Sequence, residues 1–175
     1  MPPLDSDREP CTQCFESIGQ GQVLVSIGGA GAPGTIYQNQ IVTNQASFIS
    51  KIVQFTIDNN LDGIDVDIEG DVLNGSTLTS TQYESFIINL EVALHAQSKL
   101  MTAALATWFA NRVTNLAASK FDFINIMSYD AYGTWTGPGQ HSSFQLAVDD
   151  LTYWQNIKGI PASQLVIGVP FYGYY

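Results

Sequence analysis

The chain has 175 residues, 45% of them hydrophobic and 13% charged, which is enough material for one domain with a sizeable core and is not the composition of a disordered tail. The formal net charge is -10, and the six basic residues are scattered as Arg8, Lys51, Lys99, Arg112, Lys120 and Lys158. No basic patch for nucleic acid is therefore available, a neutral substrate is favoured over an anionic one, and no apolar run reaches membrane-spanning length.

The chain opens on "MPPLDSDREP", which is polar and acidic and carries no signal peptide. "DREPCTQCFESIGQG" (7–21) reads as a helix ending near Gly19 or Gly21. It holds Cys11 and Cys14, a C-x-x-C that reads as a redox motif, half a zinc site or an i, i+3 helical pair. The two histidines, His95 and His141, lie far along the chain and do not complete a zinc set, so the helical pair is the simplest account. "QVLVSIGG" (22–29) is the first strand, stopping at two glycines. The glycine loop "GAGAPG" (29–34) follows, and "TIYQNQIVTN" after it is an unconvincing helix. "QASFISKIVQFTIDNN" (45–60) has Phe48, Ile49, Ile52, Val53 and Phe55 at helical spacing.

"LDGIDVDIEG" (61–70) is the second strand. A helix over 80–99 is expected next, capped by Ser80 or Thr81 with Glu84 as partner. "LMTAALAT" (100–107), "FDFINIMSYD" (121–130) and "QLVIGVPFYG" (164–173) are the remaining strands. "WFANRVTNLAAS" (108–119) and "SSFQLAVDDLTYWQNIK" (142–158) read as helices, with Trp108 and Trp154 in the core. Strict alternation of strand and helix argues for a parallel sheet with helices outside, either an open doubly wound sheet or a (β/α)8 barrel.

The glycine loop fits G-x-G-x-x-G after a strand, the dinucleotide fingerprint. Pro33 before the last glycine, the weak helix after it and the lack of any acid between Glu16 and Asp58 to hold a ribose all speak against that reading. No cofactor is expected. A glycine-rich loop at the mouth of a sheet is the better account.

The acids of the second strand are the chemical signal. Side chains alternate across a strand, so Asp65, Asp67 and Glu69 share one face while Ile64, Val66 and Ile68 take the other. Asp62 falls on the helix side or at the strand entrance. Same-face neighbours stand about 6 to 7 Å apart, and the ladder climbs toward the strand end that carries active sites in α/β folds. Carboxylates this close do not all ionise cheaply, and one that keeps its proton near neutral pH is a general acid. A calcium or magnesium site and a structural polar network are the alternatives. Successive residues on one straight strand do not wrap an ion, so no metal is expected.

"DGIDVDIE" fits D-G-x-D-x-D-x-E and resembles the signature of glycoside hydrolase family 18, the chitinases and their relatives. "SIGG" (26–29), "MSYD" (127–130), "YGTW" (132–135) and "GVPFYG" (168–173) are similar to further family motifs, in the right order across nearly the whole chain. The resemblance implies a (β/α)8 TIM barrel, incomplete, with five of its eight βα units present as its third to seventh. Residues 1–175 are then part of a family 18 catalytic domain. The strand whose tryptophan floors the sugar pocket lies outside these residues, and the full-length protein is expected to be secreted.

The same resemblance implies hydrolysis of β-1,4-linked N-acetylglucosamine polymers, chitin or its oligosaccharides, with retention and substrate assistance. Glu69 would be the acid, Asp67 would hold the 2-acetamido N–H, Asp65 would share a proton with Asp67, and Tyr129 would hold the acetamido oxygen. On the binding side stand Trp135 (sugar stacking or a loop plug), Asp130 (cleft lining or a loop cap), Tyr172 (sugar contact or barrel packing), Ser26 (a donor to the lower aspartates or an ordinary strand-end serine) and Gly29 of "SIGG". Rival readings are an endo-β-N-acetylglucosaminidase on N-glycans, against which the Trp135 loop argues, and a non-catalytic sugar-binding relative, against which Glu69 argues. Asn74-Gly75-Ser76 is a formal glycosylation sequon.

Overall fold

A computed structural model describes residues 21–30, 34–69, 73 and 78–174. The Cys11/Cys14 helix, residues 31–33 of the glycine loop and the sequon lie outside the described residues. Among the described residues five strands form one sheet: β1 (Leu24–Gly28), β2 (Gly63–Asp67), β3 (Leu100–Leu105), β4 (Phe123–Ile126) and β5 (Leu165–Ile167). All four pairings are parallel and the spatial order is the chain order, β1-β2-β3-β4-β5. A doubly wound sheet reverses its strand order at a switch point, and none occurs among the described residues. The five strands form an arc of an incomplete (β/α)8 barrel.

Each strand is shorter than its apolar run, because the residues past the last ladder bond leave the sheet to build the rim. Helices α1 (Gly34–Gln38), α2 (Gln45–Asp58), α3 (Ser80–His95), α4 (Asn115–Ala118) and α5 (Phe144–Asn156) make the connections. Ile64, Val66, Ile68, Met101, Ala103, Leu105, Ile124 and Ile126 are buried on the helix side of the sheet. The helices answer with apolar stripes. On α3 these are Tyr83, Phe86, Ile87, Leu90 and Leu94, and Phe86 stacks on Phe48 of α2 with centroids 5.8 Å apart. Trp154 of α5 is fully buried, as expected.

Three local expectations are corrected. "TIYQNQIVTN" is helical after all: α1 starts at Gly34 and runs into a π-turn, Asn39–Thr43, which Ile41 anchors in the core. That removes one ground against a dinucleotide site, while the missing acid and the absence of a switch point remain. "WFANRVTNLAAS" is not one helix but a 3₁₀ turn, Thr107–Arg112, and the short α4, because Thr114 starts a new helix by accepting the Ala117 N–H at 3.1 Å. The cap of α3 is Thr79, one residue early, in a capping box with Gln82: the Thr79 hydroxyl accepts the Gln82 N–H at 3.2 Å and Gln82 Oε1 accepts the Thr79 N–H at 2.9 Å. Glu84 instead accepts the Thr114 hydroxyl, tying α3 to α4. Thr79→Ala is expected to cost about 1 kcal/mol, readable as a lower urea midpoint with unchanged slope.

Candidate active site

The inward face of the sheet carries the polar residues. Ser26, Asp65 and Thr102 stand in one register row across β1, β2 and β3. The Thr102 hydroxyl donates to Asp65 Oδ1 at 2.6 Å, Asn125 Nδ2 donates to the same oxygen at 3.3 Å, and the Ser26 hydroxyl donates to Oδ2 at 3.2 Å. Ser26 is therefore the donor expected. Thr102 and Asn125 were not anticipated, although a polar residue inside each apolar run marked both. Asp62 takes no part; its Oδ2 accepts the Val23 N–H at 2.7 Å at the strand entrance.

Asp67, one step up, differs. Its Oδ1 is buried and has no hydrogen-bond partner among the described residues. No hydrogen bond joins it to Asp65 among those residues, and the two communicate through charge. Burial first, and then the Asp65 charge, raise its pKa above the ordinary carboxylate value. Its backbone is held closely: Gly29 N–H donates to the Asp67 carbonyl at 2.6 Å, and a Cβ on Gly28 would lie 2.0 Å from that oxygen. Gly28 and Gly29 also have φ of 124° and 98°, so conformation favours glycine at both, and at Gly28 the lack of space does as well. Gly29 thus supports Asp67, and the next residue, Ala30, reaches the cavity.

Glu69 follows on the same face. Burial, then the charges of Asp67 and Asp130, raise its pKa. Asp67, Glu69, Tyr129, Asp130, Trp108 and Trp135 share a cavity of about 590 Å³ with Ala30, Ala106, Met127 and Ala131. No lysine or arginine among the described residues lines it. Tyr129 is pushed up by burial and then by four carboxylates, Asp67 before Glu69, Asp130 and Asp65, so its phenol keeps its proton as a donor. Beneath the site the Tyr83 phenol is fully buried and unpartnered among the described residues, and burial, Asp65 and Asp67 raise it as well.

The loops above β4 and β5 complete the wall. Ser128, buried, donates to Asp150 of α5 at 2.8 Å, and Ser142 donates to the Ser128 carbonyl at 2.8 Å, fixing the segment that carries Tyr129 and Asp130. Asp130 Oδ1 accepts the Tyr172 hydroxyl at 2.7 Å and the Tyr174 hydroxyl at 2.8 Å. Tyr172 reaches the site through Asp130 and an edge contact with Tyr129, 6.3 Å between centroids. Trp135 packs edge-on to Tyr174 at 5.0 Å and is 57% exposed, so it is no buried plug. Trp108 corrects the core reading: it is 62% exposed and lines the cavity, because the 3₁₀ turn after β3 buries Phe109 and turns its neighbour outward. No cluster of three or more metal-ligating side chains occurs among the described residues.

A parallel barrel arc with crowded carboxylates and exposed indoles at the C-terminal ends of its strands defines the class, the glycoside-hydrolase kind of barrel. The chain belongs to glycosyl hydrolases family 18, whose family model matches residues 9–175. The solved structure of a family 18 chitinase from the chitin utilization locus of Flavobacterium johnsoniae is similar at TM-score 0.80 and 35% identity, over 91% of this chain and 52% of that one. Among curated proteins, a probable endochitinase of Caenorhabditis elegans is 29% identical over 88% of this chain and 28% of its own length. An oviduct-specific glycoprotein of Mesocricetus auratus is 27% identical over 87% and 26%. The chain thus spans about half of the solved chitinase and about a quarter of these two relatives.

Proposed function

We propose that residues 1–175 are part of the catalytic domain of a secreted enzyme that hydrolyses β-1,4-linked N-acetylglucosamine polymers with retention, the substrate's own acetamido group acting as nucleophile. The observation that carries this reading is Asp67: a buried carboxylate oxygen without a donor among the described residues, next on the same face to Glu69, whose pKa burial and neighbouring charge raise. The N–H of a 2-acetamido group is a donor of the right kind, and burial without one is costly.

In this mechanism Glu69 gives its proton to the glycosidic oxygen as the C1–O bond breaks. The acetamido carbonyl oxygen attacks C1 and closes an oxazolinium ring. Asp67 accepts the acetamido N–H and offsets the positive charge as it develops. Tyr129 donates to the acetamido oxygen and holds it in line. Asp65, held by Ser26, Thr102 and Asn125, sustains the charge that raises Asp67. Water then loses a proton to the Glu69 carboxylate and opens the ring on the original face. Trp108 and Trp135 offer apolar faces to the sugar, Asp130 and Tyr172 frame the wall, and a lining without a cation among the described residues suits a neutral ligand.

The test uses the full-length protein and two oligosaccharides of equal length, one N-acetylated and one bearing 2-hydroxyl groups. Cleavage of the first alone, with the β-anomer formed first in NMR time courses, is expected. Comparable cleavage of both, or the α-anomer first, contradicts the mechanism.

A further inference from the structure

The loop after β4 holds an imidazole that this mechanism does not use. His141 is largely covered, with 16% of its side chain exposed, and its ring packs against Tyr172 and Tyr174 with centroids 5.3 and 5.2 Å away. Both ring nitrogens are engaged. Asp130 N–H donates to Nδ1 at 3.3 Å, and Nε2 stands 3.1 Å from the Tyr172 carbonyl oxygen. An N–H only donates and a carbonyl only accepts. Nδ1 also stands 3.4 Å from the Asp130 Oδ1 carboxylate oxygen. The Tyr172 carbonyl requires a proton on Nε2, whereas Nδ1 meets Asp130 in either form: bare it accepts the backbone N–H, and protonated it donates to the carboxylate. A ring protonated on Nδ1 alone sets a lone pair against the Tyr172 carbonyl.

What these bonds hold is Asp130. Its φ is 63°, the left-handed region, which a non-glycine residue keeps only where its surroundings hold it. The His141 carbonyl accepts the N–H of the next residue, Ala131, at 3.1 Å. The carboxylate is held in turn by the Tyr172 and Tyr174 hydroxyls. His141 thus grips the backbone of Asp130 while the residues it packs against grip the side chain. Through the Tyr172 carbonyl the same ring ties the loop after β4 to the loop after β5. Asp130 shares the cavity wall with Glu69, and its charge helps to hold the Glu69 proton.

We propose that His141 is a positioning residue: with a proton on Nε2 it latches the two loops together and holds Asp130 in its left-handed conformation on the wall shared with Glu69. The kinetic consequence rests on the function proposed above, whereas the latch rests on geometry alone. Two measurements on the full-length protein separate them. Long-range ¹H–¹⁵N correlation spectra at neutral pH are expected to show a protonated Nε2 for His141. An unprotonated Nε2, or rapid averaging of two tautomers, overturns the latch whatever the enzyme does.

In chitooligosaccharide kinetics, His141→Phe keeps the aromatic packing but loses both hydrogen bonds, and kcat is expected to fall about 10- to 100-fold with little change in KM. His141→Asn returns an acceptor near the Nδ1 position but not the bond to the Tyr172 carbonyl, and part of kcat is expected back. A wild-type rate in the Phe variant, or equal losses in Phe and Asn, overturns the positioning role. If the wild-type protein cleaves no chitooligosaccharide, the proposed function fails and the spectra still decide the latch.

Discussion

Glu69→Gln in the full-length protein is expected to lower chitooligosaccharide turnover by about 10²–10⁴-fold while oligosaccharide binding stays within a few-fold of wild type. Glutamine keeps the size and the outer oxygen of glutamate but has no acidic proton for the leaving oxygen and no carboxylate to take one from water. The cavity, its indoles and the Asp67 acceptor are untouched by the change. The discriminating pair of measurements is initial rate on a fluorogenic chitobioside and binding by tryptophan fluorescence, with Trp108 and Trp135 as the reporters at the cavity. A rate within a few-fold of wild type removes Glu69 as the acid. A loss of binding in step with the rate returns the residue to a structural part.

Asp67→Asn is expected to cost about 10²–10³-fold in kcat, the loss typical of removing one group aimed at developing charge. Its pH signature is more specific. The Asp67 charge is one cause of the raised Glu69 pKa, so with asparagine in place Glu69 ionises more easily and the alkaline limb of the kcat/KM profile moves to lower pH. Stability moves the opposite way from activity. The folded-state pKa of Asp67 lies above its unfolded value, so the native state binds this proton more tightly than the unfolded state does. The stabilisation from that proton is complete below about pH 4 and is lost as pH rises through the folded pKa. Asparagine stays neutral throughout. The variant is therefore expected to melt at or above the wild-type temperature at pH 7, with the difference closing at acid pH. A variant that melts lower at pH 7 would mean that the Asp67 charge supports the fold.

These two substitutions stand on the part of the site most legible from residues alone. The parity of Asp65, Asp67 and Glu69 against Ile64, Val66 and Ile68 follows from the two-residue period of a strand, and the apolar three are fully buried behind the sheet. Trp108 was misread for a related reason. Helical spacing places an indole on a face, but the 3₁₀ turn Thr107–Arg112 has a different pitch, and it buries Phe109 instead. The α3 cap slipped by one residue because Ser, Thr and Gln are abundant there and several pairs have capping spacing; the fold uses Thr79 with Gln82 and gives Glu84 to Thr114.

By itself the sequence determined the alternation of strand and helix, the acid ladder and its direction, and the family motifs, since all of these are carried by residues a few positions apart. The strand and helix alternation alone left a doubly wound sheet and a barrel open; the family motifs implied the barrel, and the tertiary structure shows its arc through the uninterrupted order β1-β2-β3-β4-β5. Only the tertiary structure decided which carboxylate is satisfied and which is not. Ser26, Thr102 and Asn125 reach Asp65 from 39, 37 and 60 residues away, and Tyr172 reaches Asp130 across 42. Contacts of that span leave no local pattern, because nothing in the chain between the partners has to match them. They exist once parallel strands align in register and bring their inward faces to one wall. There Asp65 takes three donors while Asp67, two residues on, keeps a buried oxygen without a partner among the described residues.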